Sequence, residues 1–179
     1  MSFANEVSFI EGNPYEHRVT RTIGFVDLAG FTRYTEDEGD EAAVRALMFF
    51  RSATREVCAR RGVRIAKWLG DGAMMIGVEA EDLAETMTDL RRIFADSESP
   101  LPLRAGAATG AVILFEGDDY IGSVVNLAAR LADLAGPGQL LVPKEFVSAL
   151  MVNTEALAVG LMKVAGFEDP IEVVALVSS

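Results

Sequence analysis

Two aspartates each stand at the end of an apolar run, with glycine close by. Asp27 closes Ile23-Gly24-Phe25-Val26 and is followed by Leu28-Ala29-Gly30-Phe31-Thr32; Asp71 lies in Lys67-Trp68-Leu69-Gly70-Asp71-Gly72. The first run reads as a short buried strand that leads through a glycine-containing turn towards a helix. A carboxylate at the carboxyl end of a strand projects into a crevice from rigid backbone. Free N–H groups at the following helix start favour anions. A carboxylate for a metal beside amides for a phosphate suggests a metal–nucleotide site. Taken singly, each aspartate also has a plain reading, as a strand-end or turn residue.

Three more residues can do chemistry. Asn126 and Arg130 are spaced i and i+4 in a helical pattern, so they share one helix face. An amide beside a guanidinium can position a ribose and stabilise extra negative charge on phosphorus. The other reading is a solvated face with Arg130 paired to a nearby acid. Lys67 is one of three lysines and interrupts an apolar strand. It either lies on an exposed face or donates a hydrogen bond to a ligand.

The elements that must position these residues follow from periodicity. After the first strand, the acidic segment Glu36-Asp37-Glu38-Gly39-Asp40-Glu41 precedes a helix to about Arg61. Its apolar face is Ala43, Ala46, Leu47, Phe50, Ala53, Thr54 and Val57, with Met48 and Phe49 off that stripe, and Gly62 stops it. Val63 to Leu69 and Ala73 to Val78 flank Asp-Gly, a strong hairpin signal. A second helix runs from about Asp82 to Ala95 with Leu83, Met87, Leu90 and Phe94 inward. Leu103 to Ala108 and Ala111 to Phe115 are extended segments. A third helix spans about Ser123 to Ala135, closed by Gly136-Pro137, with Leu127, Leu131 and Leu134 towards the core. The remainder alternates strands (Gln139 to Val142, Val159 to Val164, Ile171 to Leu176) with a short helix near Glu145 to Met151.

This order, strand–helix–strand–strand–helix–strand, predicts an α+β chain with a ferredoxin-like βαββαβ core and a C-terminal strand/helix extension. Its strand order of four, one, three, two places the hairpin beside the carboxyl end of the first strand. Asp27 and Asp71 then share one rim and can hold one or two hard divalent ions.

Composition narrows the classes. With 179 residues, 50% of them hydrophobic, the chain suits one domain with a substantial core. A net charge of −11 argues against non-specific nucleic-acid binding. One cysteine, Cys58, allows no intrachain disulfide. With His17 as the lone histidine, the usual zinc sets are removed and the balance is against Cys–His or Ser–His catalysis. No apolar run approaches membrane-spanning length and no secretory start is visible, so a cytoplasmic protein is expected. Residues 1–18 show no clear period and read as an N-terminal extension to a domain over 19–179.

Together these residues resemble the catalytic domain of class III nucleotidyl cyclases, the adenylate and guanylate cyclase family, in its bacterial short-arm form. Four pieces in order carry the resemblance: Phe25 to Thr32, Lys67 to Gly72, Arg104-Ala105-Gly106-Ala107-Ala108-Thr109-Gly110, and Asp119 to Leu131. The similarity covers about residues 19 to 178. It implies that Asp27 and Asp71, with the Leu28 carbonyl, bind two Mg²⁺ or Mn²⁺ ions, and that amides around Phe31 and Thr32 hold the outer phosphates. Lys67 and Asp119 match the base-selecting pair; Asn126 and Arg130 match the transition-state pair. In the family the metal residues of one protomer meet the other residues of its partner, which implies a head-to-tail homodimer.

A lysine donor and an aspartate acceptor complement adenine N1 and N6 and mismatch guanine, so ATP is the expected substrate and cyclic AMP the expected product. Three features depart from the commoner pattern. Ala108 replaces a frequent histidine, the arm from Ala111 to Asp118 is short, and Ala165-Gly166-Phe167 lacks a phosphate-binding lysine for which Lys163 is the nearest substitute. The main rival reading is a cyclase-like nucleotide-binding and dimerisation module without turnover. A phospho-acceptor receiver domain would need an adjacent acidic pair and strict strand–helix alternation. A diguanylate cyclase shares the core fold, but the Lys67–Asp119 pair does not suit guanine.

Overall fold

The computed structural model describes residues 18–115, 119–148 and 150–178. Strand β1 (Arg18–Leu28) leads through Gly30, whose φ of 81° is left-handed, into helix α1 (Phe31–Glu38). Gly39, also left-handed, breaks the chain before α2 (Asp40–Arg61). The expected acidic loop is therefore split. Glu36 to Glu38 end α1, while Asp40 and Glu41 occupy the first turn of α2, where the helix dipole favours them. Strands β2 (Arg64–Leu69) and β3 (Gly72–Gly77) form the expected hairpin, followed by α3 (Ala80–Asp96).

Strand β4 (Leu103–Phe115) is one continuous strand where two segments were expected; Thr109 and Gly110 pair with Thr22 and Arg21 of β1 and keep it unbroken. Short β5 (Asp119–Ile121) folds back on β4 and leads into α4 (Ser123–Leu134). Strands β6 (Leu140–Pro143), β7 (Thr154–Met162) and β8 (Ile171–Ser178) complete the sheet. The helix expected near Glu145 to Met151 is a single 3-10 turn, Lys144–Phe146, because Val147 is already extended. The expected extension, residues 1–18, lies outside the described residues apart from Arg18. Among the described residues no helix is long and apolar enough to cross a membrane.

The sheet order is β2-β3-β1-β4-β6-β8-β7, with β5 on β4. The first four strands hold the expected order, and β6 joins β4 in parallel. Alternation along β1 sends Val26 and Leu28 to one face and Ile23 and Phe25 to the other. On the first face lie α2 and α3, whose Phe50, Val57, Leu83, Met87, Leu90 and Phe94 are all buried. Phe49 meets Phe94 with ring centroids 5.0 Å apart, while Met48 is exposed.

Helix α4 covers the opposite face with a stripe of Val124, Ala128, Leu131, Ala132 and Ala135. Leu134, expected inward, is 45% exposed, because that stripe turns the last helical position away from the sheet. The helix comes close because β4 carries glycine beneath it. A Cβ on Gly106 would lie 2.2 Å from Ala132 N and 2.5 Å from Ala128 O, both backbone atoms. Gly106→Ala should therefore cost about 3 kcal/mol of unfolding free energy by urea denaturation. A loss below about 1 kcal/mol would mean that α4 is free to move outward.

Candidate active site

Asp27 ends β1 in the period-2 register of Ile23 and Phe25, on the face covered by α4. It lines a cleft of about 230 Å³ together with Asp71, with Ala129, Ala132 and Asp133 of α4 as the far wall. The two aspartates thus meet at one rim, as the strand order implied. The Asp71 turn is tied down tightly. Leu28 N–H donates to the Asp71 carbonyl at 3.1 Å, Gly70 is left-handed at φ 68°, and a Cβ on Gly72 would meet the Val26 carbonyl at 2.9 Å.

Arg104 is the residue that sequence reasoning left without a role. It sits opposite Asp27 in the β1–β4 register and grips it with both prongs, Nε to Oδ1 at 2.7 Å and Nη2 to Oδ2 at 3.1 Å. Its Nη1 also donates to the Asp133 carbonyl at 3.2 Å. The only signal was cross-strand facing, which needs the register. Burial pushes the Asp27 carboxyl above its ordinary value; the Arg104 hydrogen bond and charge pull it down, and Asp71 and Asp133 push it up again. Asp27 in turn holds Arg104 more firmly protonated.

Phe31 and Thr32 open α1, whose N-cap is Gly30 with no side-chain cap and no acid in the first turn. Tyr34 N–H bonds back to the Gly30 carbonyl at 3.0 Å and opens the intrahelical ladder, so Phe31 and Thr32 precede the first bonded amide of α1.

Lys67 pairs with Asp119 across the β2 and β5 elements, both side chains about half exposed. A bulge decides this. In the β2–β3 ladder Ile65 faces Met75 and Lys67 faces Met74, so Ala66 is an extra residue. Ile65 and Trp68 pack on the α2 face and Ala66 on the α4 face, and Lys67 joins Ala66 there, beside Asp119 and Tyr120. Strict alternation would have turned Lys67 towards α2.

Asn126 and Arg130 are exposed on α4 and line a second cleft of about 370 Å³ with Asp133, Ala165, Gly166 and Phe167. Arg130 is only loosely held, 3.9 Å from Asp133. Lys163 lies outside that cleft lining. The structure thus gathers the candidates into two neighbouring clefts that share Ala129 and Asp133, plus the Lys67–Asp119 pair.

A family model described as the adenylate and guanylate cyclase catalytic domain matches residues 14–178. The chain belongs to this family. An uncharacterized protein of Mycobacterium tuberculosis is 35% identical to the cyclase domain over 153 residues, 86% of this chain and 40% of the relative. An adenylate cyclase of Streptomyces coelicolor is 34% identical over 151 residues, 83% of this chain and 39% of that protein. The chain therefore spans about two fifths of the length of these curated relatives. Among solved structures, the adenylyl cyclase CyaB from P. aeruginosa superposes with a TM-score of 0.73 at 28% identity, covering 90% of this chain and 95% of that one. The guanylyl cyclase Cya2 shares the fold at 21% identity and a TM-score of 0.77, over 90% of this chain and 94% of that one.

The opposing influences on Asp27 in the cyclase domain can be separated by titration. Its carboxyl should titrate above 3.8 by NMR, and Arg104→Gln should raise it further by removing the influence that lowers it. A raised acid contributes stability below its unfolded value that is lost as pH climbs through the folded value. Arg104→Gln should therefore lose stability relative to the parent as pH climbs above the ordinary Asp value of 3.8. An unchanged or lower Asp27 value would contradict this.

Proposed function

We propose that the chain is an adenylate cyclase that converts ATP to 3′,5′-cyclic AMP and pyrophosphate with two divalent cations, Mg²⁺ or Mn²⁺, at a site shared by a head-to-tail homodimer. The observation that carries this reading is the Lys67–Asp119 pair, a cationic donor beside an anionic acceptor on the α4 side of the sheet. Adenine offers N1 as an acceptor and N6–H as a donor, which this pair can match. Guanine offers the reverse and would leave polar groups unpaired.

The donor set suits hard cations. Asp27, Asp71 and the Leu28 carbonyl are oxygen ligands, and Mg²⁺ commonly takes one or two carboxylates plus substrate phosphates. When bound, the cations would supply a lowered 3′-hydroxyl pKa and charge neutralisation on the triphosphate. A cation at Asp27 competes with Arg104 for the same two oxygens.

The other roles fall to this chain's own groups. The Phe31 and Thr32 amides hold the outer phosphates. Asn126 orients the ribose, and Arg130 meets charge developing on the α-phosphoryl oxygens. The ribose 3′-oxygen attacks the α-phosphorus in line, forming one P–O bond as the bond to pyrophosphate breaks. A second copy supports this chemistry by closing an open face. Arg130 is 55% exposed, and Leu114, Phe115 and Ile121 on β4 and β5 are apolar yet about half exposed.

Purified protein with ATP or GTP and excess Mn²⁺ should yield cyclic AMP by mass spectrometry, and little cyclic GMP. Lys67→Met should lower kcat/KM for ATP by about 10- to 100-fold. Cyclic GMP as the main product would contradict the base assignment. Nucleotide binding without any cyclic product would instead indicate a silent nucleotide-binding and dimerisation module.

A further inference from the structure

The Gly70–Gly72 turn has little stiffness of its own, because glycines bracket Asp71 on both sides. From the β1 side, Leu28 N–H holds the Asp71 carbonyl. From the α2 side, Arg51 Nη2 reaches the Gly70 carbonyl at 3.5 Å. That guanidinium also stacks on Trp68, 5.2 Å from the ring centroid, and Arg55 one helical turn later stacks on the same ring at 5.1 Å. Trp68 is fixed in turn by an edge-on contact with Phe50, centroids 6.0 Å apart at 81°.

This arrangement breaks a packing rule. Arg51 Nε is buried without a hydrogen-bond partner, and no carboxylate pairs with Arg51 or Arg55 among the described residues. An unpaired buried donor costs about 1–3 kcal/mol, and Arg91 Nε and Thr154 Oγ1 share this condition. At 3.5 Å the bond to Gly70 is weak, yet its donor is charged and lies over the indole ring.

We infer that Arg51 is a positioning residue that, braced on Trp68, holds the Gly70–Gly72 turn so that the Asp71 carboxylate stays aimed at the cation site. This rests on the cyclase reading only for the identity of what Asp71 binds. Small displacements matter, since about 1 Å of misplacement can cost 10²-fold in rate. Arg55 provides an internal control: it shares the ring and makes no bond to the turn.

Two readouts on Arg51→Leu and Arg55→Leu test the inference. Arg51→Leu should speed amide exchange at Gly70, Asp71 and Gly72 several-fold, and raise the Mn²⁺ concentration for half-maximal activity by about five- to tenfold, with kcat at saturating metal and KM for ATP within about twofold. Arg55→Leu should change neither. Parental exchange and metal dependence in Arg51→Leu would overturn the inference, as would equal changes in Arg55→Leu, which would point to stacking alone. If the parent protein makes no cyclic product, the cyclase reading falls, and exchange at the turn still decides whether Arg51 holds it.

Discussion

The contact between the α4 backbone and β4 at Gly106 is the constraint from which the site's geometry follows. Only a hydrogen side chain lets Ala128 and Ala132 settle onto the strand, and the helix inherits its height and direction from that point. Because α4 lies so low, Ala129, Ala132 and Asp133 wall the cleft that holds Asp27 and Asp71. Asn126 and Arg130 are carried on its outer side. Small residues on the buried stripe serve the same end. They give up some apolar burial and gain a short distance between the helix and the rim.

The second constraint is electrostatic. The chain carries a net charge of −11, and its cleft holds Asp27, whose ionised form is disfavoured by burial and by the neighbouring Asp71 and Asp133. Arg104 offsets this by a two-pronged grip on Asp27, anchored further on the Asp133 carbonyl. An internal guanidinium thus balances the charge of Asp27 within the protein itself. The same logic describes the Lys67–Asp119 pair, half exposed and satisfied within the chain.

Much of this was legible in the sequence, and the exceptions share a cause. The helix faces of α2 and α3, the Asp-Gly hairpin and the four-one-three-two strand order are local patterns joined by one topological rule. They emerged from periodicity, Asp-Gly turn chemistry and that rule. Arg104 could not be read because its partner is set by the β1–β4 register, and Lys67 could be read only as two alternatives because the Ala66 bulge sets its face. Leu134 obeyed helical spacing yet faces solvent, since the helix rotates to seat its alanines on Gly106. The unbroken β4 was read as two pieces because Gly110 has weak strand propensity, which pairing to β1 overrides. In each case a tertiary partner decided between local options.

The proposed division of labour, with Asp27 and Asp71 from one copy and Lys67, Asp119, Asn126 and Arg130 from another, is tested most directly by mixing two inactive variants. Asp71→Ala and Arg130→Ala should each make no cyclic AMP alone. Mixed in equal amounts under exchange conditions, they should regain about a quarter of the parental activity, because half of the dimers would then contain one intact site of two. Full activity of either variant alone, or none after mixing despite a demonstrated mixed dimer, would contradict the shared site.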